Sequence, residues 1–145
     1  MIAGALDEPP DSRDPVPLAL GSILCGYAID SGLFGLHHVI CQTLVRVVGT
    51  PHAQTNAAIL PGAMEALARR VPDRMAELGE AIGADGNLAG RLQALGGDIP
   101  GLGDAGGDES KIDEAVDGML ARGELQHVPD PPDAAELRRM VEAAW

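Results

Sequence analysis

Apolar residues along the chain recur at spacings of three and four, and no segment alternates with a period of two or repeats itself. The pattern predicts an all-α fold, a single helical bundle of six or seven short helices. Residues 1–17 are acidic and carry Pro9, Pro10, Pro15 and Pro17, so they read as a lead-in without regular helix; residues 18–145 form the domain. From Leu18 the run L-A-L-G-S-I-L-C-G-Y-A-I-D-S is apolar on nearly every side, with small residues at Gly21, Ser22 and Gly26. Such a helix is expected to be buried or sandwiched, ending at Gly32. A second helix is expected over residues 33–47. A third starts near His52, with Thr50 or Pro51 at its head, and Pro61 should kink or split it. Residues 73–82 and 88–95 read as short amphipathic helices stopped by Gly83 and Gly96. The glycine-rich stretch 96–107 reads as a loop. Ile112, Ala115, Val116, Met119 and Leu120 mark a helix ending at Gly123, and a last helix spans residues 133–145 after the H-V-P-D-P-P loop.

With 145 residues the chain has enough length for one core. Its three aromatic residues, Tyr27, Phe34 and Trp145, leave Ala, Leu, Val, Ile and Met to build that core, and nineteen glycines and eleven prolines keep the helices short. The formal net charge of −12 disfavours nucleic acid and anionic membranes as partners. No apolar run reaches the roughly 20 residues that span a bilayer, so a soluble protein with no membrane partner is expected. The amino terminus lacks the basic flank and apolar core of a signal peptide, which makes the expected location cytoplasmic. Met1 favours a native small protein over an excised fragment. Cys25 and Cys41 both fall on apolar helical patterns and are expected to be buried reduced thiols.

Chemistry concentrates where G-L-H-H-V-I-C-Q-T-L-V-R-V-V-G-T-P-H-A-Q-T-N-A-A-I-L-P holds three of the four histidines. His38 and His52 lie fourteen positions apart. On one straight helix that would be roughly 21 Å, too far to share a ligand. Gly49-Thr50-Pro51 is the expected reversal, since glycine tolerates positive φ and the residue before proline is pushed out of the α region. Both imidazoles then face one pocket. His38 and Gln42 share a helix face, as do His37 and Cys41 about 100° away. An imidazole titrates near neutrality, so His38, His52 and, secondarily, His37 are candidate acid–base or orienting groups, with Gln42, Gln54 and Asn56 as neutral substrate-binding groups. His127, in a proline-rich loop, is expected to be exposed. Cys41 sits among Val39, Ile40 and Leu44, without the electropositive setting of a nucleophilic thiol.

The G-L-H-H and P-H-A-x-T-N-A-x-x-L-P elements, with L-x-x-L-G-x-x-x-x-x-L-x-D over residues 92–104 and a final helix ending in A-W, resemble the C-terminal helical domain of the iron-containing alcohol dehydrogenases. The likeness is nearest to the maleylacetate reductases, and it implies a truncated dehydroquinate synthase-like C-terminal domain. In metal-using members, residues matching His38 and His52 bind divalent iron or zinc, completed by an upstream Asp and His. Here Gln42 stands for the family's second helical histidine and Gln54 for an acidic residue. The 145 residues contain no Gly-x-Gly-x-x-Gly after a strand and no Asp-x-x-x-His helix.

The resemblance therefore implies that the chain alone binds no cofactor, that NAD(P) is reached only through a nucleotide-binding partner chain, and that iron or zinc binding needs more donors than these two. Three readings follow. The chain is the helical substrate and catalytic half of a two-chain reductase, exposing an apolar face on residues 18–29 and 52–64. Alternatively it is a stand-alone enzyme, self-sealed or a homo-oligomer that buries that face, using the His38/His52 pocket for redox-neutral isomerase, dehydratase or cyclase chemistry on a small molecule. The third reading is a non-catalytic interaction module.

Overall fold

The computed structural model describes residues 2–32 and 34–145. Among them are eight α-helices and no strand: α1 (Ile2–Leu6), α2 (Pro15–Asp30), α3 (Leu36–Val47), α4 (His52–Arg70), α5 (Pro72–Ile82), α6 (Leu88–Gly96), α7 (Ile112–Leu120) and α8 (Ala134–Ala143). Short 3-10 turns at Pro10–Ser12, Glu109–Lys111 and Gly123–His127 complete the order. The all-α expectation holds. Leu33, the expected start of the second helix, lies outside the described residues, as does Met1.

The expectation that prolines exclude helix from residues 1–17 is overturned. α1 lies within that stretch, and α2 starts at Pro15 behind an Asp14 cap whose carboxylate accepts the Val16 N–H. Pro15 and Pro17 occupy the first turn, where no intrahelical N–H is required and a fixed φ helps. α1 lies on α2 where Gly21 offers no Cβ; a methyl group there would run into the Ile2 side chain. An Asp7–Arg91 ion pair fastens this unit to α6.

α4 is the hub, packing against α3, α5, α6 and α8, while α7 packs on α3 and α8. The core joins Leu36, Ile40 and Leu44 of α3, Ile59 of α4, Met119 of α7 and Leu137 of α8, all essentially inaccessible to solvent. Pro61 does not split α4. The bond it cannot make would have gone to the carbonyl of Ala57, and both residues line an open cavity of about 440 Å³. α6 runs to Gly96 and ends at Gly97, whose φ is +69°, one residue later than the sequence suggests. The final helix also stops short of Trp145, at Ala143.

The largest departure is α2. It is apolar all round, as read from sequence, yet of its sixteen residues only Gly21 is buried, and Cys25, expected inside, is exposed. Val16, Leu20, Ile23, Leu24, Tyr27 and Ile29 stand 49–74% exposed. Periodicity reports what a helix could bury, not whether a neighbour is present. No helix among the described residues is long and apolar enough to cross a membrane.

The loop 96–107 has a structural role of its own. Leu102 is buried in the core, its N–H bonds the carbonyl of Ala144, and Gly101, Gly103 and Gly107 line the space around Trp145. A Cβ on Gly101 would meet the Trp145 carbonyl and one on Gly103 the indole nitrogen. Gly101→Ala is expected to cost about 1–3 kcal/mol by overpacking against backbone. Gly123→Ala, with open space around it, should be near neutral. Urea unfolding of the two variants checks this, and equal midpoints would contradict it.

Candidate functional site

Gly49 makes the reversal between α3 and α4. Its φ of +86° closes the turn, and its N–H bonds the carbonyl of Leu44. Thr55 then donates its hydroxyl to the Pro51 carbonyl and accepts from the Thr50 hydroxyl, both at 2.7 Å, fixing the start of α4 against the turn. Two side chains of α3 form the seam with α4. His37 Nε2 lies 3.0 Å from the Asn56 carbonyl and 3.4 Å from Cys41 Sγ, and the Cys41 thiol donates to the Thr55 carbonyl at 3.7 Å. A carbonyl can only accept, so the proton sits on His37 Nε2. Burial pushes the Cys41 thiol up to about 12, which keeps it protonated and unreactive.

One step round α3, His38 and Gln42 share the expected face. Phe34 stacks on the His38 ring with centroids 3.8 Å apart and planes 11° from parallel. His38 Nε2 is screened from solvent and has no hydrogen-bond partner among the described residues. Gln42 Oε1 accepts from Arg122 Nη2 at 3.0 Å. Arg122 is in turn forked onto Glu124, through Nη2 at 2.6 Å and Nε at 3.3 Å. His52, exposed in the first turn of α4, completes the face.

The electrostatics show which groups are neighbours. Desolvation chiefly lowers the His38 pKa, and the charges of His37, Arg122 and His52 lower it further, against Glu124, which raises it. Glu124 is held down at about 2, first by its hydrogen bond from Arg122 and last by the charge of His127. His38, His52, Gln42, Arg122 and Glu124 therefore share one region, with the exposed His127 beside Glu124. Asn56 turns its amide back to the His52 carbonyl at 2.7 Å, while Gln54 is exposed. Phe34, Arg122 and Glu124 were not legible as site residues: Gln42 and Arg122 are 80 positions apart, and no local motif links them.

The face is open. The three cavities described lie elsewhere, beside Trp145, between α5 and α6, and around Arg69, Arg70 and Arg139. As a metal site it falls short. Among the described residues no three His, Cys, Asp or Glu side chains converge to hold an ion. His38 and His52 offer two donors where iron or zinc takes three or four from protein, His37 Nε2 is committed to a carbonyl, and Cys41 keeps its proton. These residues alone do not fit the metal.

Burial lowers the pKa of His37 as well, partly offset by its bond to Asn56. The folded chain thus holds both imidazoles neutral where the unfolded chain, near the ordinary value of 6.5, takes up protons. Their contribution to stability is complete above that value and is lost as pH falls toward the lowered folded values. Thermal unfolding between about pH 7 and about pH 5 should show this decline, with a flatter profile in His37→Gln/His38→Gln. An unchanged slope in the double variant would refute it.

The chain's residues 2–145 match the model of the Fe-containing alcohol dehydrogenase family, C-terminal. It is 32% identical over 146 residues to maleylacetate reductase 1 of Rhodococcus opacus, an alignment covering 99% of this chain and 40% of that protein. To the maleylacetate reductase of Rhizobium sp. (strain MTP-10005) it is 28% identical over 149 residues, covering 99% of this chain and 41% of the relative. A shorter stretch of 65 residues, 45% of this chain and 18% of the relative, is 42% identical to the maleylacetate reductase of Pseudomonas aeruginosa. No solved structure gives a significant match. The chain thus spans about two fifths of the length of the curated relatives that it matches from end to end. It belongs to the Fe-containing alcohol dehydrogenase family, as a form of that family's C-terminal helical domain.

Proposed function

We propose that the chain is the helical substrate-binding and catalytic half of a maleylacetate reductase-like oxidoreductase, completed by a nucleotide-binding unit outside these 145 residues. The observation that carries this reading is α2. A sixteen-residue helix with large apolar side chains exposed along it gains little by folding against water. Each such side chain contributes roughly 1.5–3 kcal/mol only once something covers it. Matched relatives are about two and a half times as long as this chain, which supports a further unit as the cover.

The same unit would cover the His38/His52 face, where His52 is exposed on this chain. That unit would hold NAD(P), whose chemistry would be hydride transfer. The residues here orient the substrate and handle the proton. His38, desolvated and neutral at physiological pH, becomes on protonation a stronger acid than free imidazole, suited to delivering a proton to a carbon or oxygen that gains electrons. His52, exposed at the head of α4, lies on the solvent side of the face.

The test is reconstitution. The chain is co-expressed with the part of Rhodococcus opacus maleylacetate reductase that it does not cover, and association and NADH oxidation with maleylacetate are followed. Association is expected, abolished by Ile23→Asp/Leu24→Asp on α2. Turnover should fall at least about a hundredfold in His38→Ala and His52→Ala, in line with the usual worth of a general acid. Turnover of an unsaturated keto acid by the chain alone, without nucleotide, would replace this reading with a redox-neutral one. Full activity in both histidine variants would remove the catalytic assignment.

A further inference from the structure

One residue of the sequence pattern has no part in the histidine face. Pro61 closes the P-H-A-x-T-N-A-x-x-L-P element, and it stands midway along the nineteen residues of α4. The other prolines within the α-helices, Pro15, Pro17 and Pro72, all take first turns, where no intrahelical N–H is required. An interior proline is the costliest residue for a helix, because it removes one hydrogen bond and crowds the carbonyl four residues before it. So unfavourable a residue, in the helix on which the rest of the bundle packs, points to a use for what it changes locally.

What it changes is the carbonyl of Ala57, left with no N–H at residue 61 to accept. Ala57 and Pro61 both border the cavity of about 440 Å³, a volume within the range of small-molecule sites. α6 and the loop after it bring Gln93 and Asp98 to the same wall. Asp98 is the one charged side chain among the lining residues, and it makes no ion pair or hydrogen bond among the described residues. The Gln93 side-chain amide is likewise without a partner there. The wall thus offers a carbonyl, a carboxylate and an amide oxygen, and no cation, while Ala58 and Ile99 add apolar surface.

We propose that this cavity binds a small aliphatic primary amine, whose ammonium group donates to the Ala57 carbonyl and the Asp98 carboxylate while its stem lies against Ala58 and Ile99. An ammonium has three donors and no acceptor, the complement of such a wall. The formal charge of −12 draws cations to the chain, and a charged donor makes the stronger hydrogen bond. Pro61 is then a positioning residue. It denies the Ala57 carbonyl a partner within the helix, so that a ligand supplies one. The site is independent of the reductase reading, since none of its residues belongs to the histidine face.

The probe is n-butylammonium chloride, titrated into the full ¹⁵N,¹³C-labelled chain, with tetramethylammonium, a cation without N–H groups, as control. Saturable shifts are expected at the Ala57 carbonyl carbon, the Asp98 carboxylate carbon and the Gln93 amide, and none that saturate with the control. Pro61→Ala returns an N–H to the helix. It should weaken butylammonium binding about tenfold or more, the loss of a charge-assisted hydrogen bond, while raising the urea midpoint. Asp98→Asn, which leaves α4 untouched, should weaken binding by a similar factor. Binding and stability thus move in opposite directions in Pro61→Ala, which a proline serving only to shape the helix would not produce. Absence of saturable shifts, equal shifts with tetramethylammonium, or Pro61→Ala binding as tightly as the wild type overturns the proposal. So does a Pro61→Ala chain with a lower urea midpoint than the wild type, which would make the proline a packing residue.

Discussion

Everything at the candidate site depends on the reversal at Gly49. A left-handed φ there brings α4 back along α3, and the seam between them is held by polar contacts as well as by aliphatic packing. His37 reaches a carbonyl of α4, Cys41 reaches the next one along the helix, and Thr55 ties the first turn of α4 to Thr50. These groups would be costly to bury unpaired, at about 1–3 kcal/mol each, so their pairing fixes the rotational setting of the two helices. Once α3 is fixed about its axis with His37 and Cys41 inward, His38 and Gln42 must lie on the adjoining face. The adjacent histidines thus divide their labour: His37 holds the seam, and His38 is left on the face that His52 and Arg122 share.

That division bears on chemistry. His38 Nε2 is desolvated and has no hydrogen-bond partner among the described residues, a state that costs stability and that folded chains seldom leave without compensation. The stacked Phe34 supports the ring without offering it a hydrogen bond. A neutral imidazole so placed, with a fixed guanidinium on the same face, is suited to a polar ligand that brings its own partner for the nitrogen. Among the described residues no third donor side chain converges with His38 and His52, so a metal held here would need donors from elsewhere.

Much of the fold was legible. The apolar spacing marked the helices from residue 36 onward, and Gly49-Thr50-Pro51 marked the reversal, because these signals are local. The failures have physical causes. Pro15 and Pro17 were read as helix breakers when at a helix start they are initiators, and Pro61 was read as an interruption although the packing of α4 on four other helices carries it through. α2 was expected inside because its composition is that of a buried helix; sequence reports the demand for burial and is silent on supply. At the candidate site, local spacing is enough to put His38 and Gln42 on one face of α3 and His52 at the head of α4. Phe34 went unnoticed as a single aromatic before the helix, and Arg122 and Glu124 because they arrive through tertiary packing from the far end of the chain.

The two unsatisfied features, the bare α2 and the open histidine face, have a common logic. An apolar helix left in water and a polar nitrogen left without a partner are opposite kinds of defect, and no rearrangement of the same helices would cure both. Turning α2 inward would need a second layer of apolar surface, but the core of α3, α4, α7 and α8 is already filled by Leu36, Ile40, Leu44, Ile59, Met119 and Leu137. Rotating α3 to satisfy His38 would break the His37 and Cys41 seam. The unit proposed above would resolve the conflict without disturbing either constraint, by covering α2 with apolar surface and by walling the histidine face from its other side.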